Sequence, residues 1–336
     1  MKRLLCCVLI LALLLCGCEQ LGDDLHRREL SASDTTLFAM DTAMNLRLYG
    51  DKDGAAAAEL TALLQELDRT LDVTADDSTL ARLNRTGQSS DETLLALLDA
   101  ASAITVRTNG AADPTVYPVV LLWGFTGEAY QIPLDFEIEE SLSHVGLEHV
   151  HRDGDRVTLD EGTALDFGAF AKGWAADRCC ERLEARGIPA VLTLGGSIQT
   201  VLDKPDGEPW IIGIADPDSP TDYCLTMALR GTNAVVTSGD YQRYFEYNGR
   251  RYCHIIDPAT GIPVSNGLRS VTVVTESGMT ADGLATALFV MGLEEASEFW
   301  RNSTDFEAVF LTDEGVYVTE GLTDAVQSDD VTIISR

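Results

Sequence analysis

The sequence predicts a globular protein of the α+β class. Hydrophobic residues make up 45% of its 336 residues and charged residues 23%, which is ordinary for a folded chain with apolar mass for one large domain or two medium ones. Segments with helical spacing and segments with strand-like alternation follow one another without the strict β-α-β period of a doubly wound parallel sheet. After Ala190 the strand-like segments dominate.

The charge balance excludes one class of partner. The chain carries 54 Asp and Glu residues against 24 Lys and Arg residues, for a net charge of −30. Such a chain repels a phosphate backbone, so no nucleic acid is expected to bind. The sequence has no central run of ~20 apolar residues, which excludes a protein with several membrane spans.

The first residues resemble the export signal of a bacterial lipoprotein. A basic start is followed by a short apolar run at 4–15 and then by Cys18. We therefore expect residues 1–17 to be a signal peptide, Cys18 to carry a lipid and residues 18–36 to form a flexible tether ahead of a domain at 37–336. The protein would then be exported and lipid-anchored to the extracytoplasmic face of a bacterial cell membrane. The alternative is a plain secretory signal with incidental cysteines.

The first part of the domain is predicted from spacing and turn residues. Residues 38–49 alternate loosely and are predicted to form a strand. Residues 55–71 and 94–107 are predicted helices, because Ala and Leu recur there at helical spacing and Asn109-Gly110 ends the second helix. Pro and aromatic residues predict a loop at 112–125.

Mixed elements connect this part to the strand-rich half. A small helical insertion is predicted at 132–147, followed by strands at 157–159 and 164–167. Residues 172–186 are predicted to form a helix that Gly187 ends.

The strand-rich half ends with helices and a hairpin. Apolar runs predict strands at 190–194, 210–215, 225–229, 234–237, 244–247, 252–256 and 270–275. Helices at 281–291 and 295–301 follow, and then a hairpin of 308–311 with 315–319.

The cysteines of the domain do not indicate a metal site. Cys179, Cys180, Cys224 and Cys253 contain no C-x-x-C pair. We expect buried free thiols, and a Cys224–Cys253 bridge stays open.

The segment from Asp166 to Asp177 has the features of an anion site. A strand end, two glycines and a helix start lie within a few residues, and such a junction presents free backbone N–H groups. Lys172 adds a positive charge, and Gly173 allows a ligand to approach the backbone. An ordinary strand-to-helix turn with a solvated Lys172 would explain the same residues.

Two other segments carry groups for cation binding and proton transfer. Asp282 and Thr286 lie four residues apart, which places them one turn apart on one helix face. One carboxylate and one hydroxyl suit Mg²⁺, which takes its other ligands from water and phosphates; a capping role for Asp282 at a helix start is the alternative. His254 ends a predicted strand, where it would either transfer a proton or hold a loop.

These segments occur in the order found in the ApbE family of FAD:protein FMN transferases, and the chain resembles that family from about Phe38 to beyond Gly292. Three segments carry most of the resemblance: D-F-G-A-F-A-K-G at 166–173, H-I-I-D-P-A-T-G at 254–261 and A-D-G-L-A-T-A-L at 281–288. It implies a T-fold-like core of antiparallel sheet and helices, with an N-terminal helical part and a flavin cleft between them.

The resemblance also implies an activity and a site. Members bind FAD, require Mg²⁺ and transfer FMN to a threonine or serine hydroxyl of an acceptor protein, releasing AMP. The metal would be held by the side chains of Asp282 and Thr286 and by the backbone carbonyl of Ala169. The residues expected to contact FAD are Met40, Ala111, Ala112, Asp113, Asp166, Lys172 and Ile256. Either Asp282 or His254 would take the proton of the acceptor hydroxyl.

The implied partners are acceptor flavoprotein subunits of membrane electron-transport complexes. One departure from the family pattern is Ser197, which stands where Asp or Asn often follows the Gly-Gly pair. Another is that residues 73–84 contain no aromatic residue. Two alternative functions use the same site: an FAD pyrophosphatase that forms FMN and AMP, and a non-catalytic flavin-binding lipoprotein.

Overall fold

A computed structural model describes residues 31–127, 129–328 and 330–336. The predicted signal peptide, the lipidation site Cys18 and most of the predicted tether lie outside the described residues. The first strand begins at Ala32, so residues 32–36, which the sequence assigns to the tether, belong to the sheet. None of the described helices combines the length and apolar character needed to cross a membrane.

The described residues form helices and strands in an irregular order. The helices are α1 (Ala55–Leu71), α2 (Thr79–Thr86), α3 (Glu92–Arg107), α4 (Tyr117–Trp123), α5 (Asp135–Leu142), α6 (Ala171–Glu184) and α7 (Gly278–Arg301), with 3-10 turns at Pro114–Val116, Leu147–His149 and Glu320–Leu322. The strands are β1 (Ala32–Ala39), β2 (Thr42–Tyr49), β3 (Gln88–Ser89), β4 (Val150–Asp153), β5 (Arg156–Leu159), β6 (Ala190–Leu194), β7 (Ser197–Val201), β8 (Trp210–Asp216), β9 (Ser219–Leu229), β10 (Asn233–Gly239), β11 (Tyr244–Tyr247), β12 (Arg250–Cys253), β13 (Ile256–Asp257), β14 (Ile262–Pro263), β15 (Leu268–Thr275), β16 (Glu307–Thr312), β17 (Gly315–Thr319) and β18 (Thr332–Ile334).

A nine-stranded sheet organises the fold, in the order β1-β2-β6-β7-β10-β15-β16-β17-β18. Neighbouring strands are antiparallel except β17 and β18, which run parallel. Val236 and Val273 face one side of the sheet, and Val235 and Val274 face the other, as the two-residue period of a strand requires. An antiparallel-dominated sheet with packed helices confirms the predicted α+β class.

Each face of the sheet is covered by a different layer. Helix α7 packs against β10 and β15, where Leu284 and Phe310 belong to one buried cluster. The ribbon of β8 and β9 covers the opposite face, with Trp210 and Met227 buried there. The nine-stranded sheet therefore lies between α7 on one face and the β8–β9 ribbon on the other.

The N-terminal helices share a core with α6. Leu64 of α1, Leu83 of α2, Leu97 of α3 and Cys179 of α6 are all buried in one cluster. Helix α6 also packs against α7. It therefore links the N-terminal helices to α7.

Residues 38–49 form a hairpin rather than the single predicted strand. Ala39 pairs with Thr42, which leaves Met40 and Asp41 as a two-residue turn. Their φ angles are 51° and 58°, as a type I′ turn requires. Gly usually follows Asn or Asp in such turns, so Met-Asp gives little turn signal in the sequence.

The predicted loop at 112–125 was wrong in part, because it contains a 3-10 turn and α4. Pro114 and Pro118 occupy first-turn positions of these two helices. A proline at such a position removes an N–H that has no helical partner, so it starts a helix without penalty.

The predicted strand at 164–167 does not form. Asn84 Oδ1 accepts a hydrogen bond from the N–H of Leu165, and Asn84 Nδ2 donates to the Leu165 carbonyl, both at 2.8 Å. A side-chain amide thus takes the place of a neighbouring strand.

The two helices predicted at 281–291 and 295–301 lie within α7. Gly292 separates them with non-helical angles (φ 80°, ψ 170°). Asn266 Nδ2 donates to the carbonyl of Phe289 at 2.8 Å and so satisfies a carbonyl at this break.

All four cysteines of the domain are free thiols. The Cys224–Cys253 bridge that the sequence leaves open is therefore not formed.

Candidate functional site

The N-terminal ends of α6 and α7 meet at two glycines. A Cβ on Gly173 would overlap the carbonyl oxygen of Gly278 and lie 2.6 Å from Cβ of Asp282. A Cβ on Gly278 would in turn overlap the carbonyl oxygen of Gly173. Because only glycine permits this approach, the contact fixes Asp282 against the start of α6.

Asp282 is a buried carboxylate at this contact. Its side chain is almost fully covered, and Oδ2 accepts a hydrogen bond from the N–H of Gly173 at 2.8 Å. Burial raises the pKa of Asp282, against the opposing effects of the Lys172 charge and the Gly173 hydrogen bond. The N-cap of α7 is Ser277, so the alternative in which Asp282 caps its own helix does not hold.

Thr286 lies one turn further along α7. Its Oγ1 is 3.2 Å from Oγ of Ser238, and either hydroxyl is able to donate. Ser238 is a buried residue near the end of β10. The sheet therefore holds the hydroxyl of Thr286 on the helix face that it shares with Asp282.

Lys172 joins several groups into one site. It is half-buried in the first turn of α6. Its positive charge lowers the pKa of Asp166, Asp282 and His254 alike. The Lys172 charge therefore acts on side chains from all three predicted segments, and Ala169 lies in the turn just before α6.

Asp166 connects this site to the segment at 111–114. Its Oδ1 accepts from the N–H of Gly168 at 2.9 Å, and its own N–H donates to the carbonyl of Pro114 at 2.8 Å. Burial raises the pKa of Asp166, against the opposing effects of the Gly168 hydrogen bond and the charges of Arg243 and Lys172.

The ring of His254 is oriented by the backbone carbonyl of Arg243. Its Nδ1 lies 3.1 Å from the carbonyl oxygen of Arg243, which also accepts the backbone N–H of His254 at 2.9 Å. A carbonyl only accepts, so Nδ1 carries the hydrogen and Nε2 keeps a free lone pair. Burial and the nearby Arg243 charge lower the pKa of His254 to about 3.

Met40 lies in the hairpin turn between β1 and β2. Its N–H donates to Oδ1 of Asp68 at 2.6 Å. Asp41, the next turn residue, lies 4.0 Å from Nη1 of Arg243. This pair brings the turn to the side of the site that holds His254.

The other predicted FAD contacts offer mainly backbone groups. Asp113 uses Oδ1 to accept from the N–H of Thr115 at 2.8 Å and from its hydroxyl at 2.5 Å, so the carboxylate caps a 3-10 turn. Burial raises the pKa of Asp113. Ala111 and Ala112 carry no polar side-chain atom, and the Ile256 side chain is buried in an apolar cluster.

Ser238 and Arg243 take part in the site, although the sequence assigned neither of them a role. Ser238 touches the predicted metal ligand Thr286, and Arg243 positions His254. Their contacts join positions 48 and 11 residues apart, so residue spacing gives no signal for them. The departure at Ser197 leaves a buried hydroxyl that has no hydrogen-bond partner among the described residues.

The donor set fits a small, hard cation. No group of three or more His, Cys, Asp or Glu side chains in the described residues is arranged to hold a metal. The side chains of Asp282 and Thr286 offer one carboxylate and one hydroxyl on α7, and the Ala169 carbonyl is a third oxygen that the family resemblance implies. All three are oxygen ligands, and the single carboxylate matches Mg²⁺ better than Zn²⁺ or Ca²⁺.

The fold and the site together define a class. The protein is an α+β protein in which a carboxylate and a hydroxyl lie one turn apart on one helix, next to a lysine in the first turn of a second helix. Such oxygen atoms suit a hard cation, and a lysine beside them suits a phosphate-bearing ligand. Residues 40–310 match the model of the ApbE family. The chain belongs to that family, as the sequence resemblance predicts.

Related proteins extend over most of the chain. The FAD:protein FMN transferase of Vibrio cholerae is 37% identical over 296 residues, which cover 84% of this chain and 86% of that protein. The FAD:protein FMN transferase of Treponema pallidum is 32% identical and covers 95% of this chain and 94% of its own. The crystal structure of the ApbE protein from Thermotoga maritima superposes with a TM-score of 0.82 at 31% identity, covering 89% of this chain and all of that one.

Proposed function

We propose that this protein is an FAD:protein FMN transferase that requires Mg²⁺ and releases AMP. The observation that carries the proposal is the arrangement of Asp282 and Thr286 on one turn of α7 against Lys172 at the start of α6. The proposal is further supported by 37% identity to a transferase of that name over 296 residues.

The chain would bind FAD mainly through its diphosphate. Lys172 would bind phosphate oxygens through its ammonium group. The N–H of Gly173 at the start of α6 is already engaged by Asp282. Asp282, Thr286 and the carbonyl of Ala169 would hold Mg²⁺, which supplies counter-charge and Lewis acidity to the diphosphate. A chain with a net charge of −30 needs such local compensation before it accepts an anionic ligand.

The transfer step exchanges one P–O bond for another. The hydroxyl oxygen of an acceptor threonine or serine attacks the phosphorus on the riboflavin side of FAD. The bond from that phosphorus to the bridging oxygen breaks, and AMP leaves with the oxygen. The proton of the hydroxyl passes to a base on the enzyme.

His254 is the better placed of the two candidate bases. Its Nδ1 hydrogen is engaged by the Arg243 carbonyl, which leaves Nε2 to accept a proton. The low pKa makes the ring neutral at physiological pH, and an anionic diphosphate beside it would raise that pKa. Asp282 is less suitable, because its Oδ2 already accepts the Gly173 N–H and a bound cation lowers its basicity.

We also propose a location, on the basis of the leader sequence, and an acceptor, on the basis of the family resemblance. The basic start, the apolar run at 4–15 and Cys18 support export and lipid anchoring at the extracytoplasmic face. An enzyme anchored there would meet flavoprotein subunits of membrane electron-transport complexes, which we propose as its acceptors.

In-gel flavin fluorescence tests the function. The protein is incubated with FAD, Mg²⁺ and an acceptor domain, and the denatured acceptor is inspected for fluorescence while AMP is measured in the same sample. We expect a fluorescent acceptor with Mg²⁺ and none with a chelator. Release of AMP with an unlabelled acceptor would indicate the pyrophosphatase, and retained FAD without AMP would indicate a flavin-binding protein.

A further inference from the structure

Asp177 of α6 binds the N-terminus of α7 through both carboxylate oxygens. Oδ1 accepts from the N–H of Gly278 at 2.5 Å, and Oδ2 accepts from the N–H of Met279 at 3.0 Å. Oδ2 also accepts from the hydroxyl of Ser277 at 2.9 Å. These backbone groups are among the donors that a helix leaves unpaired at its start.

A second carboxylate contact runs from α7 to the start of α6. Asp282 of α7 accepts the N–H of Gly173, which belongs to the first turn of α6. Gly173 and Asp177 lie one turn apart on α6, and Gly278 and Asp282 lie one turn apart on α7. Each helix therefore supplies the carboxylate that caps the start of the other.

Capping alone does not account for Asp177. Helix α7 already has its own cap, because Oγ of Ser277 accepts from the N–H of Thr280 at 3.2 Å. What Asp177 adds is a link from that cap to α6, at the level where the two glycines touch. This link adds a side-chain connection to the close contact of the two helices.

We propose that Asp177 is a positioning residue for the cation site: its carboxylate holds the start of α7 so that Asp282 stays against the start of α6, with Thr286 one turn further along. The inference rests on the proposed cation site of the transferase, and it concerns binding of the cation rather than transfer of FMN. Asp177 itself touches neither the cation nor the diphosphate.

The test compares cation affinity with stability in three variants of the full chain. Asp177→Ala removes the link, and Asp177→Asn keeps one acceptor oxygen. Asp51→Ala is the matched control, because Asp51 uses its two oxygens to accept from Ala56 and Ala57 at the start of α1, at 3.2 and 2.9 Å. Calorimetric titration with Mg²⁺ alone gives the affinity, and denaturant unfolding without metal gives the stability.

We expect both alanine variants to lose stability and only Asp177→Ala to weaken Mg²⁺ binding. The Kd should rise about 10- to 100-fold, as for residues that orient metal ligands, and Asp177→Asn should lie between the wild type and Asp177→Ala. An unchanged Kd in Asp177→Ala, or an equal rise in Asp51→Ala, would overturn the proposal, as would a wild type that binds no Mg²⁺. If Asp177→Ala does not fold, the test rests on Asp177→Asn. A Kd for Mg²⁺ above the wild-type value in that variant supports the proposal, and an equal Kd overturns it.

Because no acceptor or FAD is present, the result is separate from the proposed activity. A wild type that binds Mg²⁺ but transfers no FMN would contradict the transferase and leave the role of Asp177 standing.

Discussion

At Asp282, burial and charge act against each other. The carboxylate is almost fully covered, and a buried carboxylate favours its neutral form. One backbone N–H and the nearby Lys172 charge offset part of this cost. A cation bound at the carboxylate would favour the charged form. Asp282 would therefore destabilise the protein without the cation and stabilise the protein that has bound it.

Substitution of Asp282 by Asn should separate these effects. Because the pKa of Asp282 is raised in the folded chain, the folded state binds the proton more tightly than the unfolded state does. Without metal, the stability that Asp282 contributes is full below pH 3.8 and is lost as the pH rises through the raised pKa. We expect metal-free Asp282→Asn to have a higher free energy of unfolding than the wild type at pH 7, as measured by denaturant unfolding.

The same variant should lose its response to the cation. Mg²⁺ should raise the stability of the wild type and leave Asp282→Asn unchanged, and the advantage of the variant without metal should shrink toward pH 4. Equal stabilisation of both chains by Mg²⁺ would place the cation elsewhere.

Lys172 is predicted to act on the ligand rather than on the fold. Lys172 is half-buried, and its positive charge acts on three titratable side chains of the site. A charge-assisted contact with phosphate contributes about 1.5 to 3 kcal/mol, so Lys172→Ala should weaken FAD binding by about tenfold or more, as measured by flavin fluorescence titration.

The matched control is Lys204→Ala, which removes a lysine that pairs with Asp206 in another loop. It should leave FAD binding at the wild-type level. Wild-type affinity in Lys172→Ala would instead reject a phosphate contact for this residue.

At the scale of elements, the contact between α6 and α7 depends on the absence of side chains. A methyl group at Gly173 would meet backbone rather than a movable side chain. Gly173→Ala should therefore force the helices apart, break the hydrogen bond to Asp282 and lower the free energy of unfolding by about 1 to 3 kcal/mol. Thermal unfolding measures the loss of stability. Titration with Mg²⁺ measures the weaker cation binding that we expect once Asp282 is displaced.

Gly168→Ala is the control in the same segment. A Cβ there would lie 3.4 Å or more from its neighbours, which is an ordinary contact. If both variants lost cation binding equally, the close approach of the two helices would not be what holds the site.

Long helices could be predicted because the residue spacing that indicates them lies within the helix itself. Helix α1 is predicted with its bounds, since Ala and Leu repeat at helical spacing from residue 55 to 71. The short α2 was missed: its eight residues are mostly polar, and its ends are defined by the Ser78 cap and by Gly87 in the left-handed region. In the sequence, only the capping residues indicate a helix of this kind.

Contacts between residues far apart in the sequence could not be predicted, including those that replace an expected local element. The strand expected at 164–167 is replaced by the Asn84 side chain, which comes from 81 residues away. Spacing did place Asp282 and Thr286 one turn apart on one helix. It gave no indication of Ser238 or Asp177 as partners, because those contacts arise only when β10 and α6 pack against α7.

At the scale of the molecule, the sheet and the N-terminal helices meet at α6. Helix α7 is fixed by the sheet, and α6 belongs to the core of the N-terminal helices. The site lies where these two parts join, as the flavin cleft of the family resemblance would require. The acidic chain around it makes a cation the natural counter-charge for a diphosphate.

The most direct test is a crystal structure of the protein with FAD and Mn²⁺, a cation with anomalous scattering that replaces Mg²⁺ at oxygen sites. We predict one anomalous peak bound by Asp282 and Thr286, with the FAD diphosphate in its coordination shell and Lys172 on a phosphate oxygen. A diphosphate bound away from Thr286, or a peak at another place in the chain, would contradict the account.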